Sequence, residues 1–335
     1  MLPQNGDPFS DFPAHEDCNV APLSGKGAAD SRLCNHRAFQ QSRLVTEGQL
    51  SYNSPMRILL TNDDGVYAPG LAAMERALRR LGKVFVVAPL REQSGVAHSI
   101  TFLTPLQAKK VYVNDKHWAW TVDGSPADCV KLAVSAILPE RPDLVVSGIN
   151  GGLNAGTNVL YSGTVAAAIE GACNGITSIA VSLQYDENEP FQQAADLAVG
   201  VIDKILQQNS IAGQIYNLNI PLQALQNDTP EVKIVPMDAM QHWEMFEHRT
   251  DPMGRSYYWL AGEHDPRQPK PKKPEQITDL IALSQGHVTV TPLHYDMTNK
   301  RELKNMNNWD LTPQDDATSH APEHTGPRLR VSWQG

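Results

Sequence analysis

A chain of 335 residues is long enough to bury a large core, either as one big α/β domain or as two smaller ones. Its formal charge of -9 and pI near 5.6, with no Lys/Arg cluster interleaved with aromatics, exclude a nucleic-acid groove and an anionic membrane surface while leaving room for a small anion held by local groups. Cys18, Cys34, Cys129 and Cys173 form no CxxC pair, no apolar run approaches the ~18 residues of a membrane span, and no basic patch precedes an apolar core at the N-terminus, so the reading is a cytoplasmic chain with reduced thiols.

Residues 1-54 are rich in Pro, Gly, Ser, Asn, Asp and Gln with no sustained apolar period, a composition that cannot repay the entropy of ordering. They read as a disordered extension, or as residues ahead of a true start at Met56. From there short apolar runs alternate with amphipathic helices, the pattern of a parallel sheet covered on both faces. The runs are 57–60, 84–88, 144–147, 178–183 and 215–219. Pro69 stands where a first-turn proline belongs, and Leu71, Met74, Leu78 and Leu81 recur at helical spacing, which predicts a helix over 69–81 that ends at Gly82. Ser125-Pro126 repeats the device ahead of Cys129, Val130, Ala133, Val134, Ile137 and Leu138. Further helices are expected over 164–175 and 191–207. After Ile220 the alternation gives way to a stretch rich in Pro, Trp and Tyr, 236–274, closing in PKPKKP; strands and long loops are expected there. A short capped helix over 278–285 and a strand over 287–292 follow, and a loose tail begins near Leu311. The expected divisions are an extension 1-54, a catalytic core 55-235, a lobe 236-310 with oligomerisation elements and the returning helix and strand, and a tail 311-335.

Ligands of an open parallel sheet bind beyond the carboxyl ends of its strands, where loops diverge and helix N-termini point inward. Three loops qualify: Asn62-Asp63-Asp64-Gly65, then Leu90 to Gly95, then Gly148 to Gly156 leading to Tyr161-Ser162-Gly163-Thr164. Asn-Asp-Asp-Gly in isolation is a solvated turn. At a strand's carboxyl end, two carboxylates about 4 to 5 Å apart repel by roughly a few kcal/mol at an effective dielectric of 20, so one is protonated or a cation sits between them. A hard dication prefers such oxygens, and Asn150 offers a further one. Gly65 gives the chain the freedom to turn so that both acids reach one ion. The Ser162-Gly163-Thr164 helix start offers free N–H groups and hydroxyls to an anion, although a glycine-rich loop can also exist only to turn tightly. A metal site beside an anion nest describes a phosphate-handling centre.

Rival motifs fail. Gly65 to Gly70 has P-loop spacing, but Leu71-Ala72 stand where Lys and Ser/Thr are needed. No GxGxxG follows the first strand. The first strand ends in adjacent aspartates rather than the spaced pair of an aspartyl-phosphate phosphatase, and the next Asp, Asp115, is too far on for the larger cluster of a calcium-dependent nucleoside hydrolase. Ser94 as a nucleophile lacks His–Asp support, although His98 lies four residues on.

Five blocks carry a resemblance: RILLTNDDGVYAPG, VVAPLREQSGVAHSIT, SPADCVKLAV, PDLVVSGINGGLNAGTNVLYSGTVAAAIEG and GHVTVTPLHYDMT. In that order they cover about Met56 to Met306 and resemble the survival protein SurE family of metal-dependent nucleotidases. The resemblance implies a Rossmann-like three-layer α/β/α sandwich with a smaller extended C-terminal lobe, homodimers or homotetramers that exchange elements, and hydrolysis of nucleoside monophosphates: a 5'-nucleotidase, with 3'-nucleotides and short polyphosphates as further substrates. One divalent ion per subunit, Mg²⁺ or Mn²⁺, would be held by Asp63, Asp64, Ser94 and Asn150, with Asn154, Ser162, Gly163 and Thr164 on the phosphate side. Asp63, nearest the strand end, is the candidate to orient the attacking water, and His98 or water would protonate the leaving group. The competing reading is a nucleotide-binding regulatory module without turnover. The chain departs from the family at Leu90, where an aspartate commonly precedes the Arg of the second loop, which bears on metal affinity or substrate preference. Cys129 and Cys173 read as small core residues, His294 and Asp296 as packing or subunit contact, and the aromatics from Trp243 to Trp259 as interface or lobe packing.

Overall fold

The first strand explains how the layers form. In β1 (Met56–Thr61) alternate side chains leave opposite faces, and Ile58 and Leu60 enter one apolar cluster while Leu59 enters another, all three fully buried. A strand buried on both faces reads as an unbroken apolar run, which is why 57–60 shows no alternation. The structure is a computed structural model that describes residues 55–188, 190–208, 211–239, 246–260 and 276–312. The expected extension 1-54, the PKPKKP run, Trp243, Cys18, Cys34 and the tail beyond Thr312 lie outside the described residues.

Next come α1 (Pro69–Leu78), β2 (Gly82–Pro89), β3 (Ala108–Val113), β4 (Lys116–Val122) and α2 (Pro126–Leu132). They are followed by β5 (Leu144–Gly151), α3 (Gly163–Cys173), β6 (Thr177–Leu183), α4 (Phe191–Gln208) and β7 (Ile215–Ile220). After these stand β8 (Val232–Ile234), β9 (Phe246–Thr250), β10 (Ser256–Leu260), α5 (Asp279–Ser284), β11 (Val288–Leu293) and α6 (Lys300–Met306). Among the described residues nine strands form one sheet in the order β3-β4-β2-β1-β5-β6-β7-β11-β8. The five strands marked in the sequence are its parallel centre; β3 pairs antiparallel with β4, and β11 antiparallel with β7. Helices α1 and α4 pack together, as do α2 and α3, and the core divides between the two sheet faces. This is the Rossmann-like three-layer sandwich. Helix α1 stops at Leu78, three residues short of its predicted end, because Gly82 already pairs with Met56 so closely that a Cβ there would lie 2.0 Å from the Met56 carbonyl oxygen.

The chain divides into two units, 1–295 and 296–335. In the first, β11 inserts between β7 and β8, so the returning strand of the expected lobe belongs to the main sheet, while β9 and β10 form a separate hairpin. In the second, α6 is capped by Asn299, whose side-chain oxygen accepts from the Glu302 N–H at 3.0 Å.

Candidate active site

From β1 the chain passes outward to β2 and β4, then returns to β5 on the other side of β1. The β1 and β5 loops therefore diverge, and this topological switch point is where an open α/β sheet takes its ligand. Register sets Thr61 beside Ser147, so Asp63 and Asp64 leave β1 alongside the end of β5 that carries Asn150. Gly65 adopts φ +99°, and a Cβ there would press on the backbone of Arg91 and Glu92; the turn expected of it is made against the second loop. Asn62 braces that turn, its amide donating to the Gly65 carbonyl at 2.9 Å.

Asp63 is 4 % exposed. Thr164 Oγ1, at the start of α3, donates to its carboxylate. Burial, ahead of any neighbouring charge, pushes the Asp63 carboxyl above its ordinary value; the Thr164 bond pulls it down, and Glu92 pushes it up again. Glu92, to which the sequence reading gave no role, sits on the second loop beside Ser94. The cost of charging the pair thus falls on Asp63 chiefly through its burial, while Asp64 is only half-buried.

Ser94 is exposed, and its hydroxyl donates to Glu92 Oε1 at 2.7 Å, which leaves the oxygen lone pairs for a ligand. The loop is bound to β1's end by the Gln93 N–H, which donates to the Asp63 carbonyl at 2.7 Å. Asn150 is half-buried and donates its amide N–H to the Gly152 carbonyl at 2.6 Å, so its nitrogen is committed and its oxygen is the ligating end. Two carboxylates, a hydroxyl and a carboxamide oxygen form a hard, all-oxygen set of the kind Mg²⁺ or Mn²⁺ takes and zinc does not favour. Among the described residues no three His, Cys, Asp or Glu side chains cluster as a metal site. The residues present fit one hard dication.

Ser162 caps α3, its oxygen accepting from the Val165 N–H at 3.1 Å, which leaves its hydroxyl proton to donate outward. Gly163 abuts Asp63: a Cβ added to it would lie 2.9 Å from the Asp63 Cβ. Thr164 is fully buried, and its hydroxyl, expected among the phosphate donors, donates to Asp63 Oδ1. Asn154, also buried, is fixed by its backbone: its N–H donates to Asn219 Oδ1 at 2.8 Å, and its carbonyl accepts from Asn217 and Asn219 amides at 2.7 and 3.1 Å. Its amide donates to Ser182 Oγ at 2.8 Å, and Ser182 is the residue in register with Asn150. His98 does not point toward the α3 N-terminus; its Nε2 lies 3.1 Å from Glu170 Oε2, two turns down α3.

Residues 58–245 match the family model of survival protein SurE. The 5'-nucleotidase SurE of Rhodopirellula baltica is 53% identical over 259 residues, 77% of this chain and 100% of that protein. The 5'-nucleotidase SurE of Moorella thermoacetica is 46% identical over 245 residues, covering 73% and 92% respectively. The crystal structure of the SurE protein from Aquifex aeolicus is 41% identical and superposes with a TM-score of 0.63 over 75% of this chain and 98% of that one.

Proposed function

The chain belongs to the survival protein SurE family, and from that premise we propose that it is a divalent-metal-dependent phosphatase acting on nucleoside monophosphates, 5'-nucleotides first, with 3'-nucleotides and short polyphosphates as further substrates. It is a phosphoric monoester hydrolase. The observation that carries the reading is Asp63, a buried carboxylate at the switch point between β1 and β5, wedged against the N-terminus of α3. One ion per subunit, Mg²⁺ or Mn²⁺, would be held by Asp63, Asp64, Ser94 and Asn150, and would supply Lewis acidity and a bound water of lowered pKa.

The chain's own groups do the rest. Thr164 fixes the Asp63 carboxylate, leaving its second oxygen to orient a water proton. The Ser162 hydroxyl and the Gly163 N–H, at the positive end of α3, hold phosphoryl oxygens as negative charge builds on them. Asn154 lines the same edge, its backbone locked by Asn217 and Asn219. The leaving alkoxide takes its proton from solvent, because the His98 ring is committed to Glu170.

We assign the chain to the cytoplasm, on its free Cys129 and Cys173, and to a homodimer or homotetramer, on the β9–β10 hairpin whose Phe246, Tyr258, Trp259 and Leu260 are each more than half exposed. Among the described residues no helix is long and apolar enough to cross a membrane. The test is release of inorganic phosphate from a panel of nucleoside monophosphates in Mn²⁺, Mg²⁺ or EDTA. Release that needs the ion, and that Asp63→Asn abolishes, is expected. No metal-dependent release from any member of the panel would favour a binding module without turnover.

A further inference from the structure

Glu170 is the one charged residue of α3 and is 5 % exposed. A buried carboxylate needs partners on both oxygens, and this one draws them from three elements. Oε1 accepts from Lys131 Nζ on α2 at 2.9 Å and from Asn174 Nδ2 at 3.1 Å; Oε2 is left to His98 Nε2 at 3.1 Å. His98 lies four residues beyond Ser94, on the long segment between β2 and β3. The intervening turn uses Gly95 at φ +71° and Ala97 at φ +54°. An alanine at positive φ is uncommon, and it persists only where the surroundings over-determine it. Ahead of the turn stands the Gln93 bond to the Asp63 carbonyl; behind it stand the Ala97 N–H donated to the Tyr161 carbonyl at 3.0 Å and the His98–Glu170 contact. Farther on, Ser125 Oγ donates to the Ser99 carbonyl and the Thr101 N–H donates to Asp128, which ties the segment to α2. His98 is the residue whose side chain ties the turn to α3, the helix that also carries the Asp63 contacts.

We propose that Glu170, acting through His98, is a positioning residue that holds the Ser94 turn in its ligating shape, so that α3 sets both ends of the ion site: Asp63 through Gly163 and Thr164, and Ser94 through His98. The part that concerns the ion rests on the reading of Ser94 as a ligand; the tether itself does not.

His98→Ala is the primary variant, because it leaves Glu170 paired with Lys131 and Asn174. Three measurements are made on the full chain: Mn²⁺ binding by electron paramagnetic resonance, amide hydrogen exchange over 91–101, and kcat at saturating Mn²⁺. The expected result is Mn²⁺ binding weakened by about tenfold, the usual scale for losing an outer partner of a metal ligand. Exchange over 91–101 rises, and kcat at saturating Mn²⁺ falls by no more than about twofold. His98→Gln, which restores an N–H donor of similar reach, should recover most of the binding. Unchanged exchange and unchanged Mn²⁺ binding in His98→Ala would overturn the proposal. So would a collapse of kcat with binding intact, since that would put His98 in the chemistry. Failure of the wild-type chain to bind Mn²⁺ would refute the ion site instead, and exchange alone would then decide the tether.

Discussion

Gly163→Ala adds a single methyl where the structure has no room. Its Cβ would stand 2.9 Å from the Asp63 Cβ, 3.1 Å from Asp63 Oδ2 and 3.2 Å from the Pro126 Cγ. Carbon atoms in contact sit about 3.5 to 4.0 Å apart, so Asp63 or the start of α3 must move by roughly 0.5 Å or more. The Asp63 Cβ is anchored to the backbone at the end of β1 and cannot swing aside as the tip of a long side chain could. A displacement of about 1 Å at a reacting group costs on the order of a hundredfold in rate, and kcat/KM for phosphate release should fall by roughly tenfold to a hundredfold. Stability should change by a comparable or smaller amount. Overpacking costs about 1–3 kcal/mol, and replacing glycine by alanine in a helix returns up to ~1 kcal/mol. The assay pairs kcat/KM in saturating Mn²⁺ with a thermal melt. A variant that melts near the wild type and keeps activity within threefold would refute the contact between α3 and Asp63 as the basis of the site.

Gly200 on α4 is the matching control: nothing lies within 4 Å of an added Cβ, so Gly200→Ala should stabilise the fold by about 0.4–1 kcal/mol and leave phosphate release unchanged, and a loss of activity would contradict that. Thr164→Val keeps the volume and removes the hydroxyl that donates to Asp63; with a charged hydrogen bond worth about 1.5–3 kcal/mol, Mn²⁺ affinity should drop by tenfold or more, and titration calorimetry showing no change would speak against the bond. Burial alone would raise the Glu170 carboxyl, but hydrogen bonds from His98 and Lys131 hold it below the ordinary glutamate value. A depressed folded-state pKa contributes stability above the ordinary value of 4.5 that is lost as pH falls through the depressed one. Glu170→Gln should therefore show a shallower loss of melting temperature below about pH 4.5, and an acid limb identical to the wild type would refute the pairing.

How far the sequence revealed this molecule depended on the kind of signal. The central strands were legible because both of their faces are buried, and Pro69 and Ser125-Pro126 marked α1 and α2 because caps and first-turn prolines act locally. The β3–β4 hairpin was not marked. It lies at the sheet edge, where Lys109, Lys110 and Tyr112 are exposed and the apolar pattern thins, and its turn is Asn114-Asp115, both at positive φ. The antiparallel entry of β11 could not be read, since strand direction depends on distant chain. At the site, the twin aspartates and the SGT helix start stood out, but the roles within it came from contacts: Thr164 serves Asp63, Asn154 is held by asparagines more than sixty residues away, and His98 faces Glu170. One signal for Glu170 was present, a lone acid in the apolar run GTVAAAIEGAC, which a buried helix keeps only with a partner.

The central claim is that one dication sits where β1 ends. A crystal of this chain soaked in Mn²⁺ and measured near the manganese absorption edge tests it directly. The account predicts one anomalous peak per subunit, about 2.1 to 2.3 Å from carboxylate oxygens of Asp63 and Asp64 and in reach of Ser94 and Asn150. Well-ordered density for both aspartates turned apart into solvent, with no anomalous peak between them, would contradict it.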